Sequence, residues 1–221
     1  SEMCIRDSHK IDLVGTHLDD QIIRSIQGNG HHPKLNIGMP DVVRAHYSTD
    51  FDATKPDQAD LIIMGVSSAG VDWATDQLTR VLHKPVPVLM VTKGLFADTT
   101  GIKHFPAIVS ERLKSRLGFD VPVMAIGGPC IAGELAVCRD TMVVVTGSDL
   151  RLVDEVIELL TAPFYHARAS DDVIGIEICA AFKNFFAIGV GWANGHFEKL
   201  EKAANQAYAL SLIHISEPTR Q

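Results

Sequence analysis

Cysteine is scarce in this 221-residue sequence, and what there is forms no pattern. Cys4, Cys130, Cys138 and Cys179 include no CxxC pair and no Cys/His spacing suited to a metal. That argues against a disulfide scaffold or a metal module and fits a reducing cytoplasm. A surplus of positive charge is also missing: 20 Lys and Arg stand against 27 Asp and Glu, for a net charge of −7, with the charges scattered. A nucleic-acid partner is therefore not expected. No apolar run is read as reaching the roughly 20 residues that a membrane span needs, so no membrane partner is expected either. Internal repeats and low-complexity segments are lacking.

The two ends differ from the rest. Residues 1–8 read SEMCIRDS and residues 210–220 read LSLIHISEPTR. They resemble translated sequencing adapter, one strand in frame at the start and the opposite strand at the end. Segments 1–8 and 210–221 are therefore expected to be non-native tails, and Cys4 then carries no weight. The remainder, 9–209, is long enough for one domain or one domain and part of a second.

Within that remainder, short apolar runs alternate with amphipathic stretches. The runs at 11–16, 59–67, 86–94, 121–128 and 141–148 are nearly continuous in Val, Ile, Leu and Met, as suits strands covered on both faces of a parallel sheet. Helix-like stretches lie at 19–28, 70–83, 104–117 and 149–161, the last opened by Ser148-Asp149 as N-cap and ended before Pro163. Strand alternating with helix predicts a doubly wound α/β sheet. After about residue 167 no further strand is expected. Residues 171–191 read instead as one long apolar helix, opened by two aspartates that suit the positive end of a helix dipole. The change predicts an α/β nucleotide-binding domain over 9–167 and the start of a helical domain over 168–209.

Three places can carry chemistry. Thr92-Lys93-Gly94 ends an apolar run, and ligands of open α/β sheets bind at the carboxyl ends of strands. Lys93 can reach an anion there, or be simply an exposed strand-end lysine. The stretch Gly127-Gly128-Pro129-Cys130-Ile131-Ala132-Gly133-Glu134 also follows a run. Its glycines permit close backbone approach, and a following helix N-terminus can face a polar ligand; a plain tight turn explains it equally well. Lys183-Asn184 lies inside the long helix among Ala180, Ala181, Phe182, Phe185, Phe186 and Ile188. A lysine in such surroundings is costly unless its charge is paired or lost, and burial makes it a usable proton acceptor. The alternative is a lysine whose stem is buried and whose tip reaches water. The small residues Gly175, Cys179, Gly189 and Gly191 suggest close packing of this helix.

Other candidates read as unremarkable. His31-His32-Pro33 reads as a loop without further ligands at metal spacing, Ser67 and Ser68 lack the GxSxG elbow of a hydrolase nucleophile, and the Lys/Glu run at 198–202 reads as a solvated helix face.

Taken in order, Lys93 in TKG, then GPCIAGELA, then GIEICAAFKNFFAIGVG resembles the NAD(P)-dependent glycerol-3-phosphate dehydrogenase family. The likeness runs over nearly all of 9–209 and is densest from 90 to 191. It implies a Rossmann-type N-terminal domain joined to a helical C-terminal domain, and a homodimer. It also implies interconversion of sn-glycerol 3-phosphate and dihydroxyacetone phosphate with NAD or NADP, a reaction of glycerolipid-precursor and carbohydrate metabolism. Lys183 corresponds to the family's general acid/base lysine and Lys93 to the lysine that orients the substrate oxygens. Asn184 neighbours the substrate, as does Cys130. Val66, Ser67, Ser68, Gly128, Pro129, Ile131 and Ala132 fall where the cofactor passes. Such a mechanism makes physical sense: hydride leaves C2 as its hydroxyl loses a proton, so a tuned base and a fixed cation are both required.

The sequence also departs from the family. No Gly-rich phosphate loop precedes the run at 11–16, so the sheet is expected to lack its first strand. No acid is obviously placed after Gly15-Thr16-His17 for a ribose hydroxyl. Cys130 replaces a polar residue, Gly133 stands where some members carry lysine, and 199–204 only loosely matches the phosphate-side motif. A related hydroxyacid-type dehydrogenase and a non-catalytic dinucleotide-binding module are the competing readings. The stretch 9–209 alone is expected to aggregate or bind cofactor weakly.

Overall fold

A strand buried on both faces must be apolar at every position, and β6 shows this: Val88 and Met90 point into one core while Leu89 points into another. The computed structural model describes residues 9–99 and 101–196. The end segments, the 198–202 run and the 199–204 stretch lie outside the described residues.

Along the chain run β1 (Ile11–Val14), α1 (Asp20–Asn29), β2 (His31–His32), β3 (Ile37–Gly38), β4 (Val43–His46), β5 (Ile62–Met64), α2 (Val71–Val81) and β6 (Val88–Met90). Then follow β7 (Leu95–Asp98), β8 (Gly101–His104), α3 (Phe105–Leu117), β9 (Val123–Gly127), α4 (Ala132–Leu135), β10 (Thr141–Thr146), α5 (Leu150–Leu160), β11 (Tyr165–Ser170) and α6 (Val173–His196). The main sheet has the order β11-β10-β9-β6-β5. Strands β5, β6 and β9 are parallel neighbours, β10 is antiparallel to β9, and β11 is parallel to β10.

Helices α2 and α3 cover one face over Met64, Val71, Leu78, Val88, Met90, Val109 and Leu113. The other face holds Leu89, Met124, Ile126, Val143 and Val145 against Val153 and Val156 of α5. Helices on both faces make this a doubly wound α/β domain. Across the surface of the first pair, Arg112 and Arg116 of α3 form ion pairs with Asp72 and Asp76 of α2.

The expected helices lie within a few residues of their expected bounds, and Asp149 is the N-cap of α5, its Oδ1 accepting the Arg151 N–H at 3.0 Å. Several features differ from expectation. The sheet is mixed rather than parallel throughout, because β10 reverses. Strands do not stop near 167: β11 runs to Ser170, half exposed and thus without the apolar signature of a buried strand. The His31-His32 loop is a strand, paired with β3 in a short hairpin. A second hairpin, β7–β8, follows Lys93. Strands β1 and β4 form a separate parallel pair, and among the described residues no strand joins it to the main sheet.

Helix α6 corrects two expectations. Over Val173–Trp192 it is long and apolar enough to cross a membrane, with a mean hydropathy of 1.7, although the sequence reading found no such run. Glu177 and Lys183 lie inside it, and its first turns pack on β9 and β10. Its later part is not closely packed: a Cβ placed on Gly189 or Gly191 would meet nothing within 4 Å among the described residues.

Candidate active site

Parallel strands deliver their carboxyl ends to one edge of a sheet. Met64 of β5 is aligned with Met90 of β6, and Met90 with Ala125 of β9. The loops that follow therefore leave side by side, which is where open α/β sheets bind ligands. Two hydrogen bonds tie them together. Thr92 Oγ1 donates to the Val66 carbonyl at 2.6 Å, and Lys93 Nζ donates to the Gly128 carbonyl at 2.8 Å. The Val66-Ser67-Ser68 segment, Lys93 and the Gly128 turn, far apart in sequence, thus form one rim.

Two glycines set the third loop. Gly128 has φ +133, and a Cβ there would lie 2.9 Å from the Met142 carbonyl oxygen and 3.0 Å from Val143 Cα, both backbone atoms of β10. A side chain at Gly127 would meet Ile176 Cγ2 at 2.6 Å. Glycine at 127 is what lets α6 sit directly on the end of β9. The helix begins cleanly: Asp172 Oδ1 accepts the Gly175 N–H at 2.8 Å, and Ser170 Oγ accepts the Asp172 N–H at 3.1 Å.

Beyond this start, α6 brings Glu177 and Lys183 to the rim. Glu177 is fully buried, and neither of its carboxyl oxygens has a hydrogen-bond partner among the described residues. Burial, opposed by the Lys93 ammonium, pushes its carboxyl up to about 7. Lys93 and Lys183 are both half-buried. Burial lowers the pKa of Lys93, the Lys183 ammonium lowers it further, and Cys130 and Glu177 act in the opposite direction. Burial raises the Cys130 thiol, with Lys93 opposing. The four side chains thus form one electrostatic cluster, in which burial and the second ammonium act together against the charge of Lys93. Such a pair can bind an oxyanion and hand a proton to or from it.

The remaining expected residues are placed as follows. Ser67, Ser68, Ile131, Ala132 and Asn184 are exposed, and Pro129 is half-buried beside Cys130. The helix expected after the Gly128 turn is corrected: α4 has four residues, one turn with a negligible dipole, and its Glu134 is engaged by Arg139. Asp19 follows the end of β1. Asp19 accepts both the Thr16 N–H, at 3.0 Å, and the Thr16 hydroxyl, at 2.6 Å, and these bonds hold its carboxyl below the usual range. Two residues of the site escaped the sequence reading. Thr92 was visible only as part of TKG, and its clamp on Val66 is a tertiary contact. Glu177 had a signal, as an acid inside an apolar helix.

Loops leaving the carboxyl edge of parallel strands, with a glycine turn on which a long helix packs, fit a Rossmann-type fold. The glycerol-3-phosphate dehydrogenase of Coxiella burnetii has this fold, with a TM-score of 0.71 and 23% identity over 94% of this chain and 60% of that one. Residues 2–153 match the family described as NAD-dependent glycerol-3-phosphate dehydrogenase N-terminus, and the chain belongs to that family. It is 30% identical over 213 residues to a glycerol-3-phosphate dehydrogenase [NAD(P)+] of Thiobacillus denitrificans, covering 96% of this chain and 60% of the relative. It is 26% identical over 192 residues to an NADP(+)-dependent glycerol-3-phosphate dehydrogenase of Archaeoglobus fulgidus, covering 87% and 56%. The chain thus spans somewhat over half the length of the relatives it matches.

Proposed function

We propose that this chain supplies the cofactor-binding part and the catalytic lysines of a longer NAD(P)-dependent glycerol-3-phosphate dehydrogenase, which interconverts sn-glycerol 3-phosphate and dihydroxyacetone phosphate. The observation that carries this reading is the convergence of Lys93 and Lys183 on one half-buried rim with the Gly128 turn. Residues 9–167 form its nucleotide-binding domain and 168–209 begin a helical substrate domain, with 1–8 and 210–221 as non-native ends. Resequencing the source DNA across both ends tests that division.

The residues present fit the nicotinamide end of NAD or NADP. Val66, Ser67 and Ser68 after β5, and Gly128, Pro129, Ile131 and Ala132 after β9, follow the two parallel strands on either side of β6, and most of them are open to solvent. When bound, the dinucleotide supplies or accepts the hydride. The chain's own groups do the rest. Lys183 takes the proton from the C2 hydroxyl, or returns it in the reverse direction. The Lys93 ammonium holds the C2 oxygen and stabilises the charge it gains, a contribution that grows as water is excluded. Asn184 and Cys130 border the substrate. The working protein is a cytoplasmic homodimer serving glycerolipid-precursor and carbohydrate metabolism.

The test is reduction of dihydroxyacetone phosphate by the full-length protein with NADH or NADPH. Lys183→Ala is expected to lower kcat by about 100- to 10,000-fold while cofactor binding is kept. Unchanged turnover in that variant removes Lys183 from the mechanism, and an inactive wild type favours a binding module.

A further inference from the structure

Among the described residues, Glu177 is the one acidic or basic side chain that is fully buried; the other buried polar residues are hydroxyl-bearing threonines and a serine. A carboxyl in that position, with both oxygens unpaired, is costly, and an apolar residue of similar size would fill the space without that cost. Its surroundings show what it acts on. The strand-end loop after β6 contributes Lys93, whose ammonium has a neutral carbonyl, that of Gly128, as its hydrogen-bond partner. The turn after β9 contributes Cys130, and α6 itself contributes Lys183. The β7–β8 hairpin, which also touches α6, contributes Lys103 and His104; Lys103 pairs with Glu111, and His104 caps α3 by accepting the Ala107 N–H. On β10 the polar groups are Thr141 and Thr146. Glu134 faces Arg139. Glu177 is therefore the buried acid that faces Lys93, the lysine on which Lys183 also acts.

We propose that Glu177 is a positioning residue, whose carboxylate acts as the internal counter-charge that keeps Lys93 protonated and seated beside Lys183. This rests on the reading of Lys93 as the cation that holds the substrate oxygen. Two ammonium groups sharing a half-buried crevice repel each other, and the first to lose its proton is no longer an electrophile. A buried anion within reach of the Lys93 charge, shielded from water, opposes that loss.

The test uses the full-length protein. Competitive acetylation of Lys93, read by mass spectrometry as a function of pH, reports where its amine is discharged. Glu177→Gln is expected to lower that midpoint by about one pH unit. It is also expected to move the alkaline limb of kcat/KM for dihydroxyacetone phosphate reduction down by a similar amount, in a protein that still melts cooperatively. Glu177→Asp restores most of both. An unmoved Lys93 midpoint in a folded Glu177→Gln protein overturns the proposal. If the labelling midpoint moves but the wild type reduces no dihydroxyacetone phosphate, the counter-charge stands and the dehydrogenase reading fails. Should Glu177→Gln not fold, Lys93→Met carries the test. Without the ammonium, the Glu177 carboxyl should lose its proton at higher pH, and the fall of Tm with rising pH should shift with it; an unshifted fall overturns the proposal.

Discussion

Glu177 gives the fold a pH response of unusual sign for a carboxyl. Burial moves it from its ordinary 4.5 to about 7, against the pull of Lys93. The unfolded chain releases this proton near 4.5 and the folded chain near 7, so between those values the folded state binds more protons. Its contribution to stability is then fully present below 4.5 and is lost as pH rises through about 7. The loss amounts to at most about 3 kcal/mol. Over this range the Tm of the wild type should fall relative to that of Glu177→Gln as pH rises. A difference that does not vary with pH contradicts the buried, protonated carboxyl. At this same scale, the sequence pointed to Lys93 and Lys183 by their setting, a strand end and an apolar helix. It gave no means of pairing Thr92 with Val66, because that bond spans 26 residues and depends on strand order.

Among the elements, α5 was the most legible. Its apolar residues recur at helical spacing, and a serine-aspartate pair precedes it; the Asp149 carboxyl does cap it. Asp149→Ala is expected to cost about 1 kcal/mol, read as a fall in Tm. Arg151→Ala, which removes only an exposed ion pair with Asp149, is expected to change stability by less than about 0.5 kcal/mol. Equal effects of the two would mean that the charge pair, not the cap, secures the helix start. Strand β11 was the least legible, since its sequence YHARAS alternates polar and small residues. It is a strand because the edge of β10 offers it a full ladder of hydrogen-bonding partners, from Thr141 opposite Tyr165 to Thr146 opposite Ser170. The same limit hid the reversal of β10, since apolar content says that a strand is buried but not which way it runs.

For the whole molecule, apolar surface is the governing feature. Ile63 on edge strand β5 is 52% exposed and Ile11 on β1 is 39% exposed. On α6, Phe185, Ile188 and Trp192 are 69%, 72% and 64% exposed. Unpaired strand edges and an open apolar helix face drive association. The 221-residue chain by itself is therefore expected to self-associate at micromolar concentration in light scattering, and to bind NADH weakly. A monomer with a cooperative melt and tight NADH binding would contradict this. In the longer dehydrogenase proposed here, both surfaces would be covered.

The sequence by itself determined the α/β class, the places of the principal helices and strands, and the family, and it pointed to two lysines for the proposed chemistry. Those properties are local: they rest on apolar periodicity, caps and the order of short motifs. Tertiary structure alone decided that three loops form one rim, that glycine at 127 and 128 admits Ile176 of α6 and the backbone of β10 to close contact, and that Glu177 is buried within reach of the Lys93 charge. These depend on which strands become neighbours and which helix closes over them. Burial and charge proximity, and the proton affinities they set, exist only once the chain has brought distant residues together.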